Sequence, residues 1–472
     1  MSATVKALRF VMILIFLIAF LNIANAANFS GIGDGTENNP FQITTVSQLD
    51  EVRYNLSANY ILMNDLDLND FSGNWIPLGF PQHPDNSDDF ESFIGLFDGN
   101  NKTIYNLTID KIGYRVGLFC CIDSEGKISN LNMENAKISG DSDVGVIAGL
   151  IRFSGSVVNC RVTNSTVTAF DRSGGVAGFN FGGFLDSCSV FNSSVISSGD
   201  TDRLGGLPSG FSGGLVSGNN DGIIKNSIVE NTTIQSKCFT GGIAGTNTGL
   251  IEKSSVVNCS IKSEASLMKG PFGYCGGIAG VNEFGGLIEK SSAMNCSVKL
   301  ETSLSGTYSE FNAGGIVGQS SWSSTIADCQ ASGEIENNGI GGNSGGIVGN
   351  ASSTTIINCF SFSSVTSSRF GDVGGITGTA EQCIIEYCSA FNSEINLIES
   401  FQSIREDSSF IQFISLKIKS NIGYIVGDSS KNQINNCRYS DKIESNKHIF
   451  KKNGSEKVNY VDDGDGYYLI VD

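Results

Sequence analysis

Two stretches of this chain repeat almost residue for residue, and they constrain its fold more than any other feature. The segments are GGIAGTNTGLIEKSSVVNCSI, which begins at Gly241, and GGIAGVNEFGGLIEKSSAMNCSV, which begins at Gly276. A Gly-x-x-x-Gly opening with an apolar centre recurs at Gly95, Gly145, Gly174, Gly214, Gly241, Gly276, Gly314, Gly345, Gly374 and Gly423. The unit keeps its length while the stretch behind it varies, which is typical of a stacked repeat whose insertions are confined to one loop.

The apolar residues of one unit fall in short runs separated by turn residues. In the unit at Gly241, Ile251 and Val256 belong to two such runs, and Thr246 to Gly249 form the clearest turn. No run reaches the ten to twelve residues that an independent helix needs, and β-branched side chains dominate. The unit therefore predicts short β-strands.

Aligned copies place like residues in columns, as parallel in-register coils do. One column holds Leu107, Leu131, Cys160, Cys188, Ser227, Ser254, Ser291, Cys329, Cys359, Cys388 and Cys437. Four residues later stands Asn135, Asn164, Asn192, Asn231, Asn258, Asn295 or Asn392, which we expect to point inward and to stack its amides along the axis. The columns predict an all-β parallel β-helix of about eleven coils, on the order of 50 Å long.

The double glycines are expected at sharp turns between the faces of a coil. Glycine there supplies φ > 0 and close backbone approach without steric cost. A phosphate-binding loop would need a Lys-Ser/Thr pair or a strand-to-helix context, and neither accompanies these glycines.

Residues 1–26 read as a secretory signal peptide rather than as part of the fold. Lys6 and Arg9 precede the apolar run from Phe10 to Leu21, and Ala24-Asn25-Ala26 offers a small-x-small cleavage site. An uncleaved anchor is the alternative, and no second apolar segment of spanning length follows. We expect a secreted or cell-surface protein with no membrane span after cleavage.

The chain is strongly acidic, with a formal net charge of −18. Nucleic acid is therefore not an expected partner, because binding it needs a basic face. A solenoid grows without a new core, so the length predicts one elongated body and a monomer.

The segment after the signal peptide carries a family resemblance. Asp65-Leu66-Asp67-Leu68, Trp75-Ile76-Pro77-Leu78-Gly79 and Phe93-Ile94-Gly95-Leu96-Phe97-Asp98-Gly99-Asn100 resemble the lead-in of GLUG-motif proteins. The resemblance implies a right-handed parallel β-helix of the pectate-lyase-like kind, on secreted or surface-attached, adhesin-like proteins. It divides the chain into a cap at 27–92, a repeat β-helix at 93–443 and a tail at 444–472. An open first coil needs such a cap because it is a bare strand edge.

Thirteen cysteines in an exported chain raise the question of disulfides. Those in the Cys/Ser/Leu column, and Cys259 and Cys296 in a second one, are predicted to be small buried filler. The cysteines outside both columns are the expected bridge formers: Cys120, Cys121, Cys238, Cys275 and Cys383.

No catalytic, cofactor or metal site is predicted. Proteases with GLUG-type regions carry a zinc-binding His-Glu-x-x-His helix, but neither His83 nor His448 begins that motif. The turn from Asp462 to Gly466 resembles a calcium loop without its terminal glutamate. Asn-x-Ser/Thr sequons occur at Asn55, Asn101, Asn164, Asn231, Asn258 and Asn295, and the predicted burial of that column argues against glycosylation.

The longest insertions follow the strands near Val195, Ile261, Val298 and Ile395 and are expected on one side of the rod. The last of them, 396–422, would add a strand or a short helix. Aromatic residues precede the next glycine motifs and are the candidate contacts for an extracellular glycan or protein surface: Phe211, Phe272, Tyr274, Tyr308 and Phe311. The alternative is that these rings fold inward and close the loops onto the rod.

We expect a non-catalytic protein that acts in adhesion or extracellular binding. Two alternatives stay open: a carbohydrate-active β-helix lyase or hydrolase, and a purely structural cell-envelope spacer.

Overall fold

The computed structural model shows a parallel β-helix, as the repeat predicts. It describes residues 29–80, 91–110, 113–199, 209–265, 272–302, 310–339, 341–368, 371–392, 394–398, 422–423, 426–430, 432–435, 437–440, 459–462 and 467–471. Each full coil passes through sheet 1, twice through sheet 2, then through sheet 3 and sheet 4. Every strand of a coil pairs in parallel with the equivalent strand of the next coil, so like residues lie above one another.

The strands of sheet 1 are Phe41–Ile43, Tyr60–Leu62, Leu96–Asp98, Lys127–Ser129, Ser156–Val158, Phe184–Asp186, Ile223–Lys225, Leu250–Glu252, Leu287–Glu289, Thr325–Ala327, Thr355–Ile357, Ile384–Glu386 and Gln433–Asn435. The strands of sheet 2 are Leu66–Asp67, Thr103–Tyr105, Thr108–Asp110, Asn132–Glu134, Lys137–Gly140, Arg161–Thr163, Thr166–Ala169, Ser189–Phe191, Ser194–Ser197, Ile228–Glu230, Thr233–Ser236, Ser255–Val257, Ser260–Ala265, Ser292–Thr302, Gln330–Asn337, Phe360–Ser361, Ser364–Ser368, Ser389–Ala390, Ile395–Ile398, Arg438–Ser440, Asn459–Asp462 and Tyr467–Val471.

The strands of sheet 3 are Tyr114–Val116, Ser142–Val144, Arg172–Gly174, Phe211–Gly213, Phe239–Gly241, Phe272–Gly276, Glu310–Gly314, Asn343–Gly345, Val373–Gly374 and Ile422–Gly423. The strands of sheet 4 are Phe119–Ile122, Ala148–Arg152, Ala177–Phe181, Val216–Asn220, Ala244–Asn247, Ala279–Asn282, Val317–Ser320, Val348–Ser352, Thr377–Glu381 and Val426–Ser430. The strands on either side of the insertions after Val195, Ile261 and Val298 place all three between sheet 2 and sheet 3, as the repeat predicts.

The ends of the coil stack differ from its middle. Near the N-terminus lies an α-helix, Val46–Glu51, whose Thr45 cap accepts a hydrogen bond from the backbone of Gln48, and two 3₁₀ turns, Val52–Tyr54 and Leu68–Asp70. At the other end Tyr467–Val471 pairs antiparallel with Arg438–Ser440 and with Asn459–Asp462. Antiparallel strands cover an edge that the last parallel coil leaves open.

The interior is built from stacked columns of aliphatic and thiol side chains. Ile224, Ile251 and Ile288 follow one another in sheet 1 and are fully buried. Burial of each such side chain contributes roughly 1.5–3 kcal/mol. The thiol of Cys160 lies 3.8 Å from the carbonyl oxygen of Ile128 in the preceding coil and 3.3 Å from that of Val158, so it is a small filler that still has an acceptor.

All thirteen cysteines are buried and remain thiols in the part of the chain that the structure describes. This agrees with the predicted filler column. It corrects the expectation that Cys120, Cys121, Cys238, Cys275 and Cys383 form bridges, because these side chains also pack inward.

The predicted inward asparagine column is wrong for all its members except Asn392. Asn135, Asn164, Asn192, Asn231, Asn258 and Asn295 are exposed, and each has a φ between 49° and 57°. Asparagine tolerates this left-handed conformation, so these residues turn the chain between two strands of sheet 2 on its outer side. The amide ladder lies in sheet 4 instead, where Asn180, Asn219, Asn247 and Asn282 are fully buried.

The double glycines allow close packing but do not supply the positive φ that we expected. Gly277 lacks a left-handed φ, yet a Cβ built on it would lie 2.0 Å from the carbonyl oxygen of Gly315 in the next coil. Gly242 stands in the same relation to Gly277 at 2.1 Å. The coils are too close at this column for any side chain.

Candidate functional site

The outer column of sheet 3 collects most of the polar and aromatic candidates. Register pairing places Arg172, Phe211, Phe239, Tyr274, Asn312 and Asn343 on six consecutive coils. Asp143 precedes Arg172 by one coil, because its neighbour Val144 pairs with Ser173. The column therefore has a charged end, an aromatic middle and an amide end.

Three rings stack in the middle of the column. The ring centroids of Phe211 and Phe239 are 4.9 Å apart, and those of Phe239 and Tyr274 are 5.0 Å apart with an interplanar angle of 9°. Such spacing follows from in-register coils about 4.8 Å apart. Sequence reasoning named Phe211 and Tyr274 but missed Phe239, which follows no long insertion. Its position two residues before Gly241 was the available signal.

The remaining predicted ring residues are divided between surface and interior. Phe272 is 38% exposed and its ring centroid lies 6.2 Å from that of Tyr274. Tyr274 is only 7% exposed, and its hydroxyl donates a 2.8 Å hydrogen bond to Glu310. Phe311 is 2% exposed, because it pairs with Gly273 and fills the space that this glycine leaves. Tyr308 lies outside the described residues.

An acid–base cluster occupies the charged end of the column. The Arg172 guanidinium lies 2.9 Å from Oδ1 of Asp143 and donates to its Oδ2 at 3.2 Å. Arg172 also donates to Ser142 Oγ at 3.1 Å, and Ser142 in turn donates to Asp171 Oδ2 at 3.2 Å. Burial raises the pKa of Asp143 to about 6, although Arg172 opposes the shift. A buried carboxyl of this kind can deliver or accept a proton near neutral pH.

The cluster lies at a corner where sheets 3 and 4 meet. The Arg172 guanidinium stands 4.9 Å above the ring of Phe179 in sheet 4. Four coils further on, beyond the ring stack, Asn312 donates a 2.8 Å hydrogen bond to Gln319 across the same corner. A Cβ at Gly178 would meet the backbone of Asp143 at 2.1 Å, so glycine in sheet 4 brings the two sheets together.

A second aromatic surface was not found from the sequence. It lies on the turns between sheets 4 and 1, where Phe284 is 63% exposed and Trp322 is 65% exposed. Their rings stack at 5.7 Å with an interplanar angle of 14°. On earlier coils the ring centroids of Phe153, in a turn, and Phe181, the last residue of its sheet 4 strand, are 6.1 Å apart, but these rings meet edge to face at 77°. We call these four residues, which lie in or beside the turns, the turn aromatics.

Three of the turn aromatics have a left-handed backbone conformation. Phe284 and Trp322 have φ values of 52° and 56°, and Phe153 has a φ of 51°. A bulky residue seldom adopts this conformation, which costs on the order of 1–2 kcal/mol relative to glycine. The signal in the sequence was a bulky ring in turns otherwise made of Gly, Ser, Asn and Asp.

Among the described residues, no group of three or more His, Cys, Asp or Glu side chains is arranged to hold a metal ion. The turn from Asp463 to Gly466 lies outside the described residues. No helix in the described part of the chain is long and apolar enough to cross a membrane.

The comparisons with known sequences reach only part of the chain. No protein-family model matches it. Halomucin of Haloquadratum walsbyi is 34% identical over 152 residues, which are 31% of this chain and 2% of that protein. A candidate Gly-rich membrane protein of Evansella cellulosilytica is 31% identical over 134 residues, 27% of this chain and 14% of that protein. The chain thus spans a small fraction of either relative's own length.

Two solved structures align with most of the chain. A candidate immunoglobulin A1 protease from Bacteroides ovatus has 18% identity and a TM-score of 0.34, covering 85% of this chain and 87% of that one. A chain named IgA1 protease has 16% identity and a TM-score of 0.33, covering 80% and 24%.

These comparisons bear on two expectations. The prediction that this protein has no catalytic activity is contradicted by the two solved structures, because both chains are named for an enzyme. Their TM-scores are too low to transfer a reaction or a catalytic residue. The GLUG resemblance has no matching family model and stays a prediction, whereas the parallel β-helix that it implied is observed.

Proposed function

We propose that this protein acts outside the cell in adhesion or extracellular binding, and that the turn aromatics contact its ligand. The stacked pair of Phe284 and Trp322 is the observation that carries the proposal. Each of these two large rings is more than 60% exposed, so most of its apolar surface makes no contact with the rest of the fold. Strained backbone at such residues is typical of binding sites.

The chemistry of the rings favours a neutral glycan as the ligand. Parallel exposed rings offer flat apolar faces on which the C–H faces of sugar rings can stack. The net charge of −18 disfavours acidic polymers, which the protein would repel. The two ring pairs lie on separate coils along the rod, so a linear chain of several sugars running along the axis would meet both.

Glycan-array binding of the mature chain, followed by ring variants, tests this proposal. Trp322→Ala and Phe284→Ala should each weaken binding to the best array ligand at least tenfold without lowering the melting temperature. Phe362→Ala is the matched control, because Phe362 is 46% exposed and also stacks on a ring, that of Phe391 at 5.3 Å. Equal binding by all three variants and the parent would refute a role for the turn aromatics. Absence of binding to any glycan or cell surface would favour a structural spacer.

The acid–base cluster favours a second candidate, a carbohydrate-active enzyme. Asp143 is a buried carboxyl with a raised pKa, Arg172 holds it, and Asp171 follows one coil later. Paired carboxyls with different surroundings are the usual acid and base of sugar hydrolysis. Release of reducing sugar or of unsaturated product from polysaccharides would reveal the activity. Asp143→Asn should abolish it, and Asp110→Asn, at an exposed position of sheet 2, should not.

A further inference from the structure

The rod carries two columns of left-handed asparagines, and their side chains behave differently. The first column turns the chain from sheet 1 into sheet 2, and the second separates the two strands of sheet 2. From Lys127 onward the first column holds Asn130, Asn159, Asn226 and Asn358, and the longer turn of the coil before it holds Asn100 and Asn101. The second column holds Asn106, Asn135, Asn164, Asn192, Asn231, Asn258 and Asn295. All have φ between 48° and 61°, so backbone conformation does not distinguish the columns.

Asn130, Asn159, Asn226 and Asn358 of the first column each use the side-chain amide to join neighbouring coils. The Nδ2 atom of Asn226 donates to Asp186 at 2.7 Å, and that of Asn358 donates to Asp328 at 2.6 Å. Asn159 donates to Asn130 at 2.8 Å, and Asn130 donates to Asp98 at 3.0 Å. These amides form a structural ladder along the rod.

In the second column the amides of four consecutive coils form no such ladder. Asn192, Asn231, Asn258 and Asn295 are exposed, and the described residues provide no hydrogen-bond partner for their Nδ2 atoms. The turn is held by the backbone instead, for example by the N–H of Asn231, which donates to the carbonyl of Val257 at 3.0 Å. Among the described residues their amides therefore join no neighbouring coil.

The residues that follow also separate these two sets of four asparagines. Two positions after Asn130, Asn159, Asn226 and Asn358 stand Asn132, Arg161, Ile228 and Phe360, so none of these four forms an Asn-x-Ser/Thr sequon, although Asn101 in the preceding coil does. Two positions after the four free second-column asparagines stand Ser194, Thr233, Ser260 and Ser297, so all four do. These hydroxyl residues lie on the outer face of sheet 2, while the residue between, such as Thr232, points inward.

We infer that four residues of the second column, Asn192, Asn231, Asn258 and Asn295, are acceptor sites for N-linked glycans. The co-reactant is a lipid pyrophosphate-linked oligosaccharide, used by an oligosaccharyl transferase as the exported chain emerges. The amide nitrogen attacks the anomeric carbon, a C–N bond forms, the C–O bond to the pyrophosphate breaks, and the amide loses one proton. The fold then leaves each acceptor at an outward turn where an attached glycan displaces no contact.

The geometry of the stack limits how many acceptors carry a glycan. Neighbouring coils are about 4.8 Å apart, which is less than the width of a hydrated sugar chain. Two adjacent acceptors therefore compete for the same space. We expect about half of the four to be modified on one molecule, in an alternating pattern set by that coil spacing.

Peptide mass spectrometry of the full chain, isolated from the organism that secretes it, tests the inference. Digestion with peptide-N-glycosidase in heavy-oxygen water should convert modified members of the second column to labelled aspartate. Asn226 and Asn358 are internal controls and should remain unlabelled. Unmodified asparagine at all four acceptors would overturn the inference.

Variants at the hydroxyl position separate glycosylation from deamidation. Thr233→Ala leaves Asn231 in place and should abolish its label, whereas Thr233→Ser should keep it. Thr233 is exposed, so both proteins should fold as the parent does. Persistent labelling of Asn231 in Thr233→Ala would also overturn the inference, because the transferase requires the hydroxyl.

Discussion

The side-chain amide nitrogen of Asn219 donates a 2.8 Å hydrogen bond to the side-chain oxygen of Asn247, its in-register partner on the next coil. Asn180 donates to Asn219 at 2.7 Å, and Asn247 donates to Asn282 at 2.8 Å. The same nitrogen of Asn219 also donates to the carbonyl of Gly222 at 3.1 Å. A buried polar side chain is tolerated here because each coil satisfies the next.

Removal of one rung of this ladder should destabilise the rod strongly. Asn219→Ala leaves the Asn180 amide and the Asn247 oxygen without their partner, at a cost of about 3 kcal/mol. Asn258→Ala is the control, because it removes an exposed left-handed asparagine and should cost only about 1 kcal/mol. Equal shifts of melting temperature in the two variants would contradict the ladder.

Two glycines with opposite surroundings test why this residue is needed. Gly277→Ala brings a Cβ to 2.0 Å from the Gly315 oxygen, so we expect a loss of about 3 kcal/mol, at the upper end for overpacking. Gly285→Ala meets no atom within 4 Å and is strained only by its φ of 81°, so it should cost about 1 kcal/mol. Chemical denaturation of both variants measures the difference. If Gly285→Ala lowered the stability more than Gly277→Ala does, the positive φ rather than the close contact between coils would be the reason for glycine.

The thiols should be present but unreactive in the native protein. Burial raises the pKa of Cys160 and of Cys275 to about 12, so thiolate is scarce at pH 8. A thiol reagent should label few cysteines of the native chain and all thirteen after denaturation without reductant. Mass spectrometry counts the labels. Pairs that stay unlabelled until a reductant is added would reveal disulfides and contradict the thiol columns.

The raised pKa of Asp143 predicts a pH dependence of stability. The folded state holds the proton to about pH 6, whereas the unfolded carboxyl releases it near pH 4, so this group favours folding at low pH. Its contribution is lost as the pH rises from about 4 to 6, by up to about 3 kcal/mol. Between these pH values the stability of Asp143→Asn should therefore rise relative to that of the parent. Thermal unfolding at closely spaced pH values measures this, and a constant difference would contradict the shift.

The repeat alone predicted most of the fold and part of the site. Near-identical segments at Gly241 and Gly276 imply equivalent positions on successive coils, and parallel in-register pairing follows because only stacking buries each short strand. The same logic put Cys160 and Cys188 inside. It also picked out Phe211 and Tyr274 just ahead of glycine motifs, although the neighbouring Phe239 was missed.

Only the tertiary structure decided whether each residue faces the interior or the solvent, because a repeat shows which residues are equivalent but not which way they point. Asn258 and Asn247 are both asparagines in the same unit, yet one turns the chain outside and the other bonds inside. A shift of one residue reverses the face of a strand, and left-handed turns change that alternation. The corner that joins Arg172 to Phe179, and the exposed stack of Phe284 on Trp322, arise only when separate turns are brought together by the stacked coils.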